Sequence, residues 1–150
     1  MTENNGTEGR QERRKRELRE KIIKVAVELF EKQGFYNTTM EQIAEAADVA
    51  RKTLYNYFPV KEAIADVYLR DISMGLAREN LESLQKLPDT KSRLLAALKH
   101  TYGWVENNPE LTGVVLGYRM KVSCETPVDQ QVKTGTQSVL ENILTQGQQT

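Results

Sequence analysis

One cysteine, Cys124, and one histidine, His100, are the only soft metal ligands of their kind in 150 residues. A lone thiol forms no internal disulfide, and the pair falls short of the four-ligand sets of structural zinc. No apolar run is long enough to span a bilayer. The opening MTENNGTEGRQERRKRE lacks the apolar core of a secretory signal. A nucleophile–base pair, a metal set and a glycine-rich phosphate loop are all missing, so the chain does not read as an enzyme. There is no hairpin signal and no internal repeat. The expectation is a cytoplasmic protein with no resident cofactor or metal and no membrane partner.

Net charge is lacking too: 21 basic residues balance 21 acidic ones. The balance is uneven along the chain. Arg10 to Lys24 holds eight Lys/Arg against three Glu, a net of +5. Arg51 to Lys61 holds three basic residues and no acid. From Glu62 onward nine basic residues face eleven acids, a net of −2. Nucleic-acid binding needs a basic face and not a basic protein, and the front of the chain can supply one.

What is present is helical periodicity. Leu18, Ile22, Val25, Ala26, Leu29 and Phe30 recur on one helical face, and Gly34 suits a helix end. This predicts a first helix over about 11–33, with residues 1–9 as a disordered polar tail. Thr39-Met40-Glu41-Gln42 has the pattern of a capping box. It opens a short second helix whose apolar face is Met40, Ile43, Ala44 and Ala47. Asp48-Val49-Ala50 reads as a turn, with Asp48 suited to a left-handed conformation. A third short helix follows from Arg51 to Phe58, stopped by Pro59. Helices this short need tertiary packing, expected through Val49, Leu54 and Phe58.

The rest repeats the theme. Ile64, Val67, Tyr68, Ile72 and Leu76 predict a long fourth helix, with Glu62, Asp66 and Asp71 on a solvated face. A fifth helix ends at Asn107-Asn108-Pro109. A sixth carries Leu111, Val115, Tyr118 and Val122. Thr126-Pro127 is expected to open a seventh, which includes Val132, Val139, Leu140, Ile143 and Leu144.

Two short helices joined by a tight turn form a helix-turn-helix unit, whose second helix enters the DNA major groove. Here that helix starts Arg51-Lys52-Thr53. Arginine and lysine suit guanine edges, and the hydroxyls and lysine of Thr53, Tyr55, Tyr57 and Lys61 suit phosphates. Tyr55 and Tyr57 lie two apart, so they cannot both face one buried stripe.

Phe30, Gly34-Phe35, Thr38-Thr39-Met40, Ile43-Ala44, Ala47, Val49, the run TLYNYF from Thr53 to Phe58, and Lys61-Glu62 together resemble the DNA-binding domain of the tetracycline-repressor (TetR) family. The resemblance covers roughly Leu18 to Tyr68. It implies an all-α fold: a three-helix helix-turn-helix domain over 10–65, joined by a long helix to a helical effector-binding and dimerisation domain over 66–150. It implies a homodimeric, ligand-responsive regulator, most often a repressor, on a palindromic operator in double-stranded DNA, with an unknown small-molecule effector. By the same resemblance Thr39, Thr53, Tyr55, Tyr57 and Lys61 hold phosphates. Ala50, Arg51, Lys52 and Asn56 face bases or adjacent backbone, and Leu54 and Phe58 are core. The chain departs from the family at Asp48 and Lys52, where glycine is frequent, and at Ala50, where serine is frequent. Family members are also longer, so the second domain is expected to be incomplete.

Other readings stand beside these. Arg13-Arg14-Lys15-Arg16 fits either a solvated helix end or an N-terminal arm on DNA. His100, Tyr102, Trp104, Tyr118, Met120 and Cys124 fit either ordinary core or an effector pocket. A helical protein-interaction module, using the helix-turn-helix only for packing, is the competing class.

Overall fold

The computed structural model describes residues 9–127 and 133–148. Residues 1–8 of the tail expected over 1–9, and the helical position of Val132, lie outside them. Among the described residues there are seven helices and no strand. The chain forms two compact units that divide between Ile64 and Ala65.

The first unit contains α1 (Arg10–Gln33), α2 (Met40–Ala46) and α3 (Arg51–Tyr57). Helix α1 buries Ile22, Ile23, Ala26 and Phe30, which recur on one helical face. It stops because Gly34 takes φ 86° and ψ 154°, a region essentially closed to residues with a Cβ. Helix α2 opens at the capping box: Thr39 Oγ1 accepts from Gln42 N–H at 3.2 Å, and the Thr39 N–H donates to Gln42 Oε1 at 3.0 Å.

The α2–α3 turn is a Schellman motif. Asp48 sits at φ 55°. Its N–H reaches Glu45 O at 3.1 Å, and the Val49 N–H reaches back to Ala44 O at 3.0 Å. These are the two bonds that such a helix end requires. Helix α3 then starts at Ala50, extended at φ −65°, ψ 145°, with no side-chain cap. Its stability comes from packing: Leu54 is fully buried and Phe58 nearly so, each worth on the order of 2–3 kcal/mol.

Helix α4 (Lys61–Gln85) begins in the first unit and continues in the second, which also holds α5 (Thr90–Asn107), α6 (Pro109–Glu125) and α7 (Gly135–Gln148). Leu84, Ala97, Val139 and Ile143 form the buried cluster of that unit. Asp89 caps α5 by accepting from Ser92 N–H at 2.8 Å, and that bond holds its carboxyl below the usual range. The stretch Gly113–Leu116 lies inside α6.

The start of α7 differs from the expectation. Thr126 terminates α6 in an extended conformation and Pro127 lies in no helix. The helix opens instead at a second reciprocal box: Gln137 N–H donates to Thr134 Oγ1 at 3.2 Å, and Thr134 N–H to Gln137 Oε1 at 2.8 Å. Gln137, three residues on, supplies the reciprocal side chain for Thr134.

Gly135 brings α7 against α4. Its N–H donates to Ser73 Oγ at 3.0 Å, and a Cβ there would stand 2.1 Å from Ser73 O. Gly135→Ala should therefore destabilise the protein by roughly 1–3 kcal/mol through overpacking, measured by urea unfolding. Asp48→Gly should act in the opposite sense, adding roughly 0.5–1 kcal/mol by relieving the left-handed strain; a lowered urea midpoint would contradict that assignment.

Candidate nucleic-acid interface and cavity

On α3, Arg51, Lys52, Tyr55 and Asn56 are exposed. At 100° per residue they share one side of the helix. Thr53 and Tyr57 lie half-buried beside Leu54 on the other. Ala50 is exposed at the helix start. The first turn of α3 contains no acid, so its free N–H groups and two cations together favour an anion. Glu41 approaches Arg51 at 3.8 Å, with both side chains well exposed. A pair of that kind is weak and leaves Arg51 available to a stronger acceptor.

Thr39 is exposed at the start of α2. Its oxygen accepts the capping bond, but its own O–H remains a donor for a phosphate oxygen. The capping box thus fixes both the helix start and the direction of this hydroxyl.

Lys61 has partners that the sequence does not suggest. Its ammonium donates to Phe35 O at 2.8 Å and Thr38 O at 2.9 Å, and lies 4.4 Å from the Phe35 ring centre. It ties the α1–α2 connection to the start of α4. Two of its three donors are thereby used. Gln33 supports the same connection, with Nε2 donating to Asn37 O and Gln42 Oε1, each at 3.0 Å. Gln33 carries no sequence signal for this role, because its partners are set by the fold of the turn.

Arg13, Arg14 and Lys15 belong to the exposed first turns of α1 and not to an extended arm. Arg13 pairs with Glu17 at 3.8 Å and Lys15 with Glu12 at 2.9 Å. The hydrogen bond from Lys15 to Glu12 raises its pKa. The i,i+3 and i,i+4 spacing of charges adds a small stabilisation to the helix.

The second unit carries an open-sided cavity of about 260 Å³. Apolar side chains such as Leu69, Ile72, Trp104, Val115 and Val139 make most of its wall, with Asn80, His100, Thr101 and Arg119 among the polar groups. Of the six residues proposed for a pocket, His100 and Trp104 line it. Tyr102, Tyr118, Met120 and Cys124 do not. Helix geometry explains this: Thr101, Trp104 and Val105 face inward from α5, which turns Tyr102 outward to 63% exposure. On α6, Tyr118 and Met120 flank Arg119 at 100° on either side, and Met120 is 72% exposed. Cys124 is also exposed.

Arg119 is the residue that sequence reasoning misses. Its Nε donates to Asp66, an acid the sequence suggests is solvated. The pair lies only 31% and 18% exposed, and its members are 53 positions apart, so no local pattern announces it.

A capped short helix, a Schellman turn and an exposed cationic helix define a helix-turn-helix module. Residues 22–67 match the family model described as bacterial regulatory proteins, tetR family. This segment of the chain is therefore a TetR-family DNA-binding domain by its match. The chain is 31% identical over 106 residues, 71% of its own length and 52% of the relative's, to an HTH-type transcriptional regulator of Mycobacterium tuberculosis. It is 44% identical over 57 residues to the HTH-type regulator TcmR of Streptomyces glaucescens, covering 38% of this chain and 25% of TcmR. Among solved structures it resembles Thermus thermophilus FadR, a TetR-family transcriptional repressor in complex with lauroyl-CoA. The TM-score is 0.67 at 26% identity, over 87% of this chain and 68% of that one. The chain spans about half the length of the first of these relatives. Among the described residues no helix is long and apolar enough to cross a membrane.

Lys61→Met should destabilise the first unit by about 1–3 kcal/mol, because Thr38 O loses its donor and Phe35 O keeps only the Thr38 N–H at 3.2 Å. Urea unfolding in the absence of DNA measures this directly. An unchanged midpoint would show that the ammonium does not hold the turn.

Proposed function

We propose that this chain is a sequence-specific DNA-binding transcriptional regulator, a ligand-responsive repressor that docks α3 in the major groove. The exposed, acid-free face of α3 on a doubly capped helix-turn-helix carries this reading. Arg51, Lys52 and Asn56 meet base edges or the adjacent backbone, with Ala50 close to the bases. Thr39, Thr53, Tyr55 and Tyr57 hold phosphates, and Lys61 adds its third ammonium donor to them. Arg13, Arg14 and Lys15 add charge along the DNA backbone.

Such a regulator works on a palindromic operator as a homodimer, its two reading helices about 34–36 Å apart. Leu95, Leu98 and Tyr102 recur along α5 and are 50%, 50% and 63% exposed, an apolar stripe suited to pairing with further helical surface. The cavity of the second unit holds the small-molecule effector. That a TetR-family repressor of this fold is found with lauroyl-CoA supports an effector of some kind here. A DNA target places the protein in the cytoplasm.

Selection from a random DNA pool tests the reading. A palindromic motif should emerge, and Arg51→Ala/Lys52→Ala should lose it while keeping its thermal midpoint. Affinity for the selected site should fall with salt at about one logarithmic unit per phosphate contact. No enrichment over the variant, or a flat salt dependence, would favour the protein-interaction module.

A further inference from the structure

The cavity wall contains one permanently charged side chain, Arg119, and among the described residues no carboxylate. The rest is mainly aliphatic, with one indole, the His100 imidazole and several hydroxyl and amide groups. Arg119 is bonded to Asp66 through Nε alone. Among the described residues this is its one ion pair, and its two terminal amino groups remain as a planar fork for a second acceptor. Asp66 is not on the cavity wall. The wall thus carries Arg119 without its counter-ion.

We infer that the cavity is selective for a small apolar molecule ending in one carboxylate, with Arg119 as the group that recognises it. This deepens the effector reading above and rests on it. The aliphatic wall takes the apolar body. The two terminal amino groups of Arg119 take the carboxylate end-on, through two parallel N–H···O bonds. A neutral ligand would leave those donors without an acceptor, and a cationic one would face like charge with no acid to offset it. Asp66 is a competitor for the same guanidinium, so ligand binding weakens the bond between α4 and α6. A carboxylate in the cavity is thereby coupled to the helix that begins in the DNA-binding unit.

The test uses the full 150-residue chain and its single tryptophan. Trp104 lines the cavity, so its fluorescence reports occupancy. Octanoate, 1-octanol and octylamine are titrated in turn, below their aggregation limits. Octanoate should bind at least about tenfold more tightly than 1-octanol, as expected for a charge-assisted hydrogen-bonded pair, and octylamine should bind weakest. Arg119→Met should bind octanoate and 1-octanol about equally. The double variant Asp66→Asn/Arg119→Met should do the same without leaving an unpaired acid, which separates recognition from folding. Asp66→Asn alone should tighten octanoate by several-fold and leave 1-octanol unchanged. If 1-octanol binds as well as octanoate, or if both Arg119 variants keep the preference, the carboxylate assignment is overturned and the cavity stands as an effector site of other chemistry. If none of the three probes saturates, the effector reading of the cavity falls with it.

Discussion

The ammonium of Lys61 is the contact on which the reading head depends. The connection between α1 and α2 turns sharply after Gly34 and leaves the Phe35 and Thr38 carbonyls outside any helical ladder. Buried carbonyls without donors are costly. Lys61 gives Thr38 O its donor and Phe35 O a second one beside the Thr38 N–H, and lays its charge over the Phe35 ring, which itself packs 4.9 Å from Phe30. Thr38 is buried in the same place, with its hydroxyl on Gly34 O at 2.9 Å. Thr39 follows directly and starts α2. An error in this turn would pass to α2, through the Schellman bonds to α3, and so to every side chain on the exposed face.

The second unit is built on a different balance. Gly135 lets α7 approach the α4 backbone more closely than any side chain would permit, and Arg93 donates through Nε to Leu87 O at 3.0 Å. Beside this tight packing lies an open apolar cavity, whose walls forgo dispersion contacts that a filled core would make. Close packing at α4–α7 and open space beside Arg119 occur within one unit. That contrast is what a binding cavity requires: rigid walls around a volume that the protein does not fill for itself.

Much of this was legible in advance, and particular residues show why. Thr39 and Gln42, Asp48, Gly34 and Pro59 act over a few positions, so their sequence patterns translate directly into caps, turns and stops. The seventh helix, expected from Thr126-Pro127, starts at Gly135, where Thr134 has Gln137 three residues on. Periodicity identified the helices but not which way each side faced. Tyr102 and Met120 sit at helical spacing and still point away from the cavity, since the packing of α5 and α6 sets the rotation of each helix.

The sequence by itself determined the order of the seven helices among the described residues, the capped helix-turn-helix and the basic, hydroxyl-rich character of its second helix. All of these rest on interactions within a turn or two of the chain. Only the tertiary structure decided that Lys61 serves carbonyls 23 and 26 residues away, that Arg119 meets Asp66 across 53 residues, and that His100 and Trp104 share a cavity with Arg119. The physical reason is the range of the forces. Caps and helix periods are settled by neighbours, but an ion pair or a cavity wall between distant residues exists only after the intervening chain has packed.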